Sequence, residues 1–133
     1  MLKIALIAFL ALPSIACANS LTGIYSHNYT AKKNEPVWSI KAKNNAFTLT
    51  THGENGQSRL QTLTDSEIRE FWEKMGWEEE FAKGVECIGN AGDIFCKVPA
   101  KTKNGISWLR ENKSDYFHFD KIGGLMEIKK ASK

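Results

Sequence analysis

The chain predicts an α+β fold: a mostly antiparallel, curved sheet laid out as a meander, barrel-like if its edges meet, with one amphipathic helix inserted mid-chain and one disulfide-stapled hairpin. Three observations carry this. Apolar and polar residues alternate in short segments along most of the sequence, which is the period of a half-buried strand. That period switches once, between residues 64 and 76, to the three-and-four spacing of a helix. Cys87 and Cys96 flank a turn made of Gly, Asn, Ala, Gly and Asp.

Taken in order, MLKIALIAFLALPSIACANS carries one cation at Lys3, an apolar run from Ile4 to Leu12, Pro13, and small residues at Ala16 and Ala18 around Cys17. This is the anatomy of a secretory signal peptide. The run spans about 14 Å as a helix, well short of the ~30 Å hydrocarbon core. We therefore expect residues 1–18 to be a leader and 19–133 a single globular domain, exported to the periplasm or secreted. Ser14-Ile15-Ala16-Cys17 also resembles the motif ahead of the lipidated cysteine of bacterial lipoproteins, with Ser14 and Ile15 in reversed order. That resemblance implies an alternative, a lipid anchor at Cys17. Either route takes Cys17 out of the pool of free thiols, since it departs with the leader or receives the lipid, and the remaining pair in an oxidising compartment reads as the disulfide Cys87–Cys96.

Strand character begins at Leu21 to Ser26 and continues at Val37 to Ala42, where Trp38, Ile40 and Ala42 share a face. Lys43-Asn44-Asn45 supplies a turn, and Ala46 to Thr51 follows with Phe47 and Leu49 together. Ile68, Phe71, Trp72 and Met75 then fall on one side of a helix. Thr64 and Glu67 are spaced as a capping box, Gly76 is placed as a stop, and Glu70 and Lys74 stand four apart. A second short helix is expected over 77–83, with Glu78, Glu79 and Glu80 on its solvated side. After Gly84 the pairing Cys87/Cys96, Ile88/Phe95, Gly89/Ile94 and Asn90/Asp93 leaves Ala91-Gly92 as a two-residue turn, with Gly92 free to take a positive φ. Strands over 106–110, 115–120 and 125–129 complete the series, with Gly123-Gly124 as the last turn.

Chemistry is sparse. His27, His52 and His118 lie on separate predicted strands with no spacing that places two ligands on one element, so no metal is expected. No phosphate loop or nucleophile elbow is present, and neither catalytic residues nor a cofactor are assigned. In DYFHFD, Phe117 and Phe119 are expected in the core, displaying Tyr116, His118 and Asp120 on a polar outer face. The lysines at 97, 101, 103, 129, 130 and 133 are expected to be solvated. A formal charge of +3, lowered by one if Lys3 leaves, falls short of a nucleic-acid footprint.

Thr22-Gly23-Ile24-Tyr25 resembles the Gly-x-aromatic first strand of lipocalin-like small barrels, although the helix here lies mid-chain rather than late. The disulfide-closed loop is similar in kind to the protruding loop of periplasmic lysozyme inhibitors, but lacks their basic residues between Gly89 and Asp93. Small size, export and a rigid loop lead to the expectation of a monomeric, non-enzymatic binding protein of the inhibitor or immunity kind. It would present Asn90, Ala91, Gly92 and Asp93, with Tyr116, His118 and Asp120, to another protein. The alternative is a lipocalin-like carrier holding a small apolar ligand between Trp38, Phe47, Trp108 and Phe117.

Overall fold

The computed structural model describes residues 19–27, 35–120 and 124–131. The expected leader, Cys17 and the turn at Gly123 lie outside these residues. Eight strands form a closed barrel: β1 (Gly23–His27), β2 (Trp38–Lys43), β3 (Ala46–Thr51), β4 (Ser58–Thr62), β5 (Glu86–Gly89), β6 (Asp93–Lys97), β7 (Tyr116–Asp120) and β8 (Gly124–Lys130). Each runs antiparallel to the next, and β8 returns to β1 with Tyr25 opposite Lys130 and His27 opposite Ile128. The β4–β5 connection holds helix α1 (Asp65–Lys74) and a 3-10 turn, Glu79–Ala82. The β6–β7 connection holds two shorter helices, α2 (Ala100–Gly105) and α3 (Ser107–Arg110).

The expected mid-chain amphipathic helix is therefore joined by a few short ones: the second helix expected over 77–83 is the 3-10 turn Glu79–Ala82, and the strand expected over 106–110 is replaced by helix Ser107–Arg110. Ile106 and Leu109 are the buried residues there. Their i, i+3 spacing faces the core only on a helix, and in five residues it is easily mistaken for alternation. Where the turn chemistry is strong, local sequence and structure agree. Asn44 and Asn45 both take positive φ, 48° and 64°, as a tight β2–β3 hairpin requires.

Helix α1 is defined at both ends. Thr64 Oγ1 accepts from Glu67 N, and the Glu67 carboxylate accepts from Thr64 N at 2.9 Å, a complete capping box. At the other end Gly76, with φ 78°, donates its N–H to Glu73 O, and Trp77 N–H donates to Trp72 O at 3.1 Å. These are the two bonds of a Schellman ending, and the Trp77 ring lands edge-on to Trp72 at 4.9 Å.

Two apolar layers result. Inside the barrel lie Leu21, Tyr25, Trp38, Ile40, Phe47, Leu49, Leu60, Ile88, Phe95 and Ile128. Outside, α1 lays Ile68, Phe71 and Trp72 over the outer face of β5–β7, where the Cys87–Cys96 disulfide, Val98 and Phe117 are buried with Ile106 and Leu109. Both faces of these strands are thus dry, as in a sheet covered on each side. Lys103, expected in solvent, is buried instead. Its Nζ meets Asp115 Oδ1 at 2.9 Å and donates to the carbonyls of Ser114 and Asn112 at 3.0 and 3.2 Å, so all three ammonium donors are used.

At the end of the lumen near Gly23, Tyr25 is fully buried and its hydroxyl donates to Leu21 O at 2.6 Å. Burial, with Tyr116 adding to it, holds this phenol neutral well above the ordinary tyrosine range. Because the folded pKa is raised, its contribution is intact below the unfolded value of about 10 and is lost as pH climbs beyond that. We expect urea midpoints to be flat up to pH 9.5 and to fall between pH 10 and 11.5. In Tyr25→Phe that fall should be shallower, and an identical fall would exclude Tyr25 as its origin.

Candidate functional site

The β5–β6 hairpin has the expected register, with Cys87 opposite Cys96, Ile88 opposite Phe95 and Gly89 opposite Ile94. Its turn closes differently. Gly92 does not take a positive φ. The Asn90 carboxamide makes the turn, Oδ1 accepting from Gly92 N at 2.8 Å and Asp93 N at 2.9 Å while Nδ2 donates to Arg59 O at 3.2 Å. A side chain that satisfies two amides of its own turn removes the need for a left-handed residue.

The tip is also pinned from inside. His118 Nε2 lies 2.8 Å from Asp93 Oδ1, and its ring stacks on Phe95 and contacts Trp38, both at 4.6 Å between centroids. This corrects the expected outer face: Tyr116 and His118 point into the lumen, His118 being 3% exposed, whereas Phe117 and Phe119 face outward beneath the helical layer. The other ring nitrogen of His118, Nδ1, is buried without a hydrogen-bond partner. Asp120 stands opposite Asp93 in the β6–β7 ladder. Of the seven residues assigned from sequence, Asp93, His118 and Asp120 therefore gather at one mouth of the barrel. Asn90, Ala91 and Gly92 rise above them as the tip, and Tyr116 sits in the lumen beside Tyr25 at 5.5 Å.

Removing the pin should be measurable. We expect Asp93→Ala to cost about 2 kcal/mol, the penalty for leaving a buried donor unmade, and Asp93→Asn, which keeps an acceptor, to cost less than half of that. Equal losses by urea unfolding would show that the contact is not what holds the tip.

Next to the tip a groove of about 580 Å³ opens against α1. Phe71 and Met75 from the helix, Leu63 after β4, Ile94 from β6 and Phe119 from β7 supply its apolar surface, and Gly89 to Gly92 form one wall. Polar atoms sit at the rim, among them Glu67, Glu70 and Lys74. The Glu70–Lys74 pair at 3.5 Å is exposed and weak. The geometry is that of a site for an apolar group with oriented polar contacts around it. No single stretch of sequence signals it, since its walls come from α1 and from four different strands, β4 to β7.

The residues expected to enclose an apolar ligand do not converge. Trp38 and Phe47 are lumen residues, Phe117 lies outside the barrel wall, and Trp108 is exposed on α3. The lumen is filled by its own side chains, Tyr25, Leu60, Ile88 and Phe95 all showing 0% exposure, as eight-stranded barrels permit. One arrangement unforeseen from sequence is Ser39 Oγ at 3.2 Å from His52 Nε2. The pair is exposed, and no carboxylate among the described residues orients the imidazole, so it lacks the third member that activates a serine. Among the described residues no cluster of three metal-ligating side chains exists. No family model, curated protein or solved structure matches the chain.

Proposed function

We propose that this is a small exported, non-enzymatic binding protein of the inhibitor or immunity kind, which grips an apolar side chain of another protein in the groove between α1 and the β5–β6 tip. The observation that carries the reading is the tip itself. It is fixed by the disulfide, by the Asn90 carboxamide and by His118, yet Asn90, Ala91 and Gly92 remain exposed. A loop already ordered before contact loses little entropy on docking, and an apolar pocket beside it offers the buried anchor on which protein interfaces depend.

Alanine at Asn90 or Asp93 is a poor test, because both hold the turn together. Gly92→Arg is better: a Cβ there meets only Asn90 Oδ1, at 3.7 Å, so the fold accepts a side chain that then obstructs the groove. Affinity capture from extracts of the exported compartment, and from competitor or host secretions, should retain a partner on the native protein and lose it on Gly92→Arg. A partner held equally by both would sink the groove as the interface.

A small closed barrel is also compatible with a lipocalin-like binder. With the lumen packed, the reading that survives places the apolar ligand in the same groove. An apolar fluorescent probe that binds the native protein and is displaced by no protein partner would favour it.

A further inference from the structure

Trp108 is the one large apolar side chain given to solvent among the described residues, 58% exposed. Single exposed apolar residues are ordinary, but this indole is not isolated. It lies 6.2 Å from Trp77 with the planes tilted by 39°, and Trp77 in turn stands on Trp72, which is 1% exposed. The Schellman ending of α1 sets Trp77 in that place. The exposed ring is therefore the top of a stack rooted in the outer core.

Its flank is acidic in a chain whose formal charge is +3. Glu73 and Glu79 line a cleft of about 480 Å³ closed by Trp77, with Ser66, Arg69 and Glu70 completing it. Glu78 and Glu80 follow in the same segment. Arg69 is spent on Glu79 at 3.2 Å and Lys74 on Glu70 at 3.5 Å, and no cation of the described residues pairs with Glu73, Glu78 or Glu80 in an ion pair. The crowding is felt: a shared hydrogen bond with Glu80, and then its charge, raise the pKa of Glu78. Arg110, next along α3, is held by the carbonyl of Asn104 at 3.2 Å.

We propose that the Trp108–Trp77 platform and its acidic flank form a second docking surface, for an arginine-bearing segment of another protein. A guanidinium stacks on the Trp108 indole, and neighbouring cations meet Glu73, Glu78 and Glu80. Tryptophan is the best cation–π face among side chains. Arginine, planar and weakly hydrated, is the cation that stacks as well as pairs. Complementary charge steers the encounter and excludes acidic competitors. The same carboxylates argue against the other occupants of an exposed tryptophan, since they repel both anionic headgroups and nucleic-acid phosphates. This surface does not depend on the groove reading, because no apolar residue is shared between the two.

Titration of the full chain with a hexa-arginine peptide, followed by indole fluorescence and by the tryptophan Nε1–H signals in NMR, tests the proposal. The Trp108 signal should move first. Trp108→Ala, at an exposed site, should fold normally and weaken binding by about two- to fivefold, the range of one exposed cation–π contact. Glu78→Gln/Glu80→Gln should weaken it and flatten its salt dependence. Hexa-lysine and spermidine should bind more weakly than hexa-arginine. Absence of binding, or Trp108→Ala binding within twofold of the native protein, overturns the proposal. So does spermidine matching the arginine peptide, since the surface is then only an acidic patch.

Discussion

Replacing Phe95 by alanine is expected to lower the stability of the fold by about 4 kcal/mol, the middle of the range for deleting a buried aromatic ring. Phe95 is fully buried at the centre of the lumen, with Tyr25 at 6.3 Å, Trp38 at 5.8 Å and the stacked His118 at 4.6 Å. The size of the loss follows from the closed barrel. A wall held by eight hydrogen-bonded seams cannot collapse onto a void as a loose helix pair can, so the cavity persists and its lining forfeits dispersion contacts. Urea unfolding should show a lower midpoint with an unchanged slope. The variant should also acquire affinity for benzene-sized molecules that the native protein does not bind. A loss below about 2 kcal/mol would mean that the lumen of the native protein is loosely filled, and the carrier reading would move back inside the barrel.

The disulfide ranks next. Closing ten residues between Cys87 and Cys96 should contribute about 2.7 kcal/mol by restricting the unfolded chain. In a domain of this size that corresponds to a melting temperature lower by about 10 °C in Cys87→Ala/Cys96→Ala. Both sulfurs are buried beneath α1, each residue 2% exposed. The ladder and the Asn90 turn survive without them, so the far-ultraviolet circular dichroism should stay native. Binding of the proposed partner should then weaken through the tip's regained freedom rather than through unfolding. Equal midpoints for oxidised and variant protein would show that the hairpin's ladder alone fixes the loop.

Much of the architecture was legible because it is local. Period-two alternation finds β2, β3, β7 and β8 nearly to their ends, the paired cysteines and the turn between them find β5 and β6, and Thr64 with Glu67 marks the start of α1 because capping is settled within four residues. β4 carries no such pattern: Leu60 is its only buried residue, too little apolar signal for a strand. The orientation of β7 is hidden for a different reason. Alternation says that two faces differ, not which one is enclosed, and here a helical layer covers the outside as thoroughly as the barrel covers the inside. His118 and Phe117 are both buried, and only the contacts of β7 with α1 and with the lumen decide between them. Barrel closure and the groove depend on elements far apart in the chain, and no window of sequence contains them.

The pairing of β1 with β8 bears on how the molecule comes into being. Every other seam joins strands adjacent in sequence and can form as the chain emerges, but the seam between Tyr25 and Lys130 closes a loop of about a hundred residues, the costliest in entropy and the last available. Until the residues of β8 are free to move, the rest can be no more than an open sheet with two raw edges. A polypeptide threaded end-first through a narrow conduit would therefore arrive unclosed and become a barrel only on the far side.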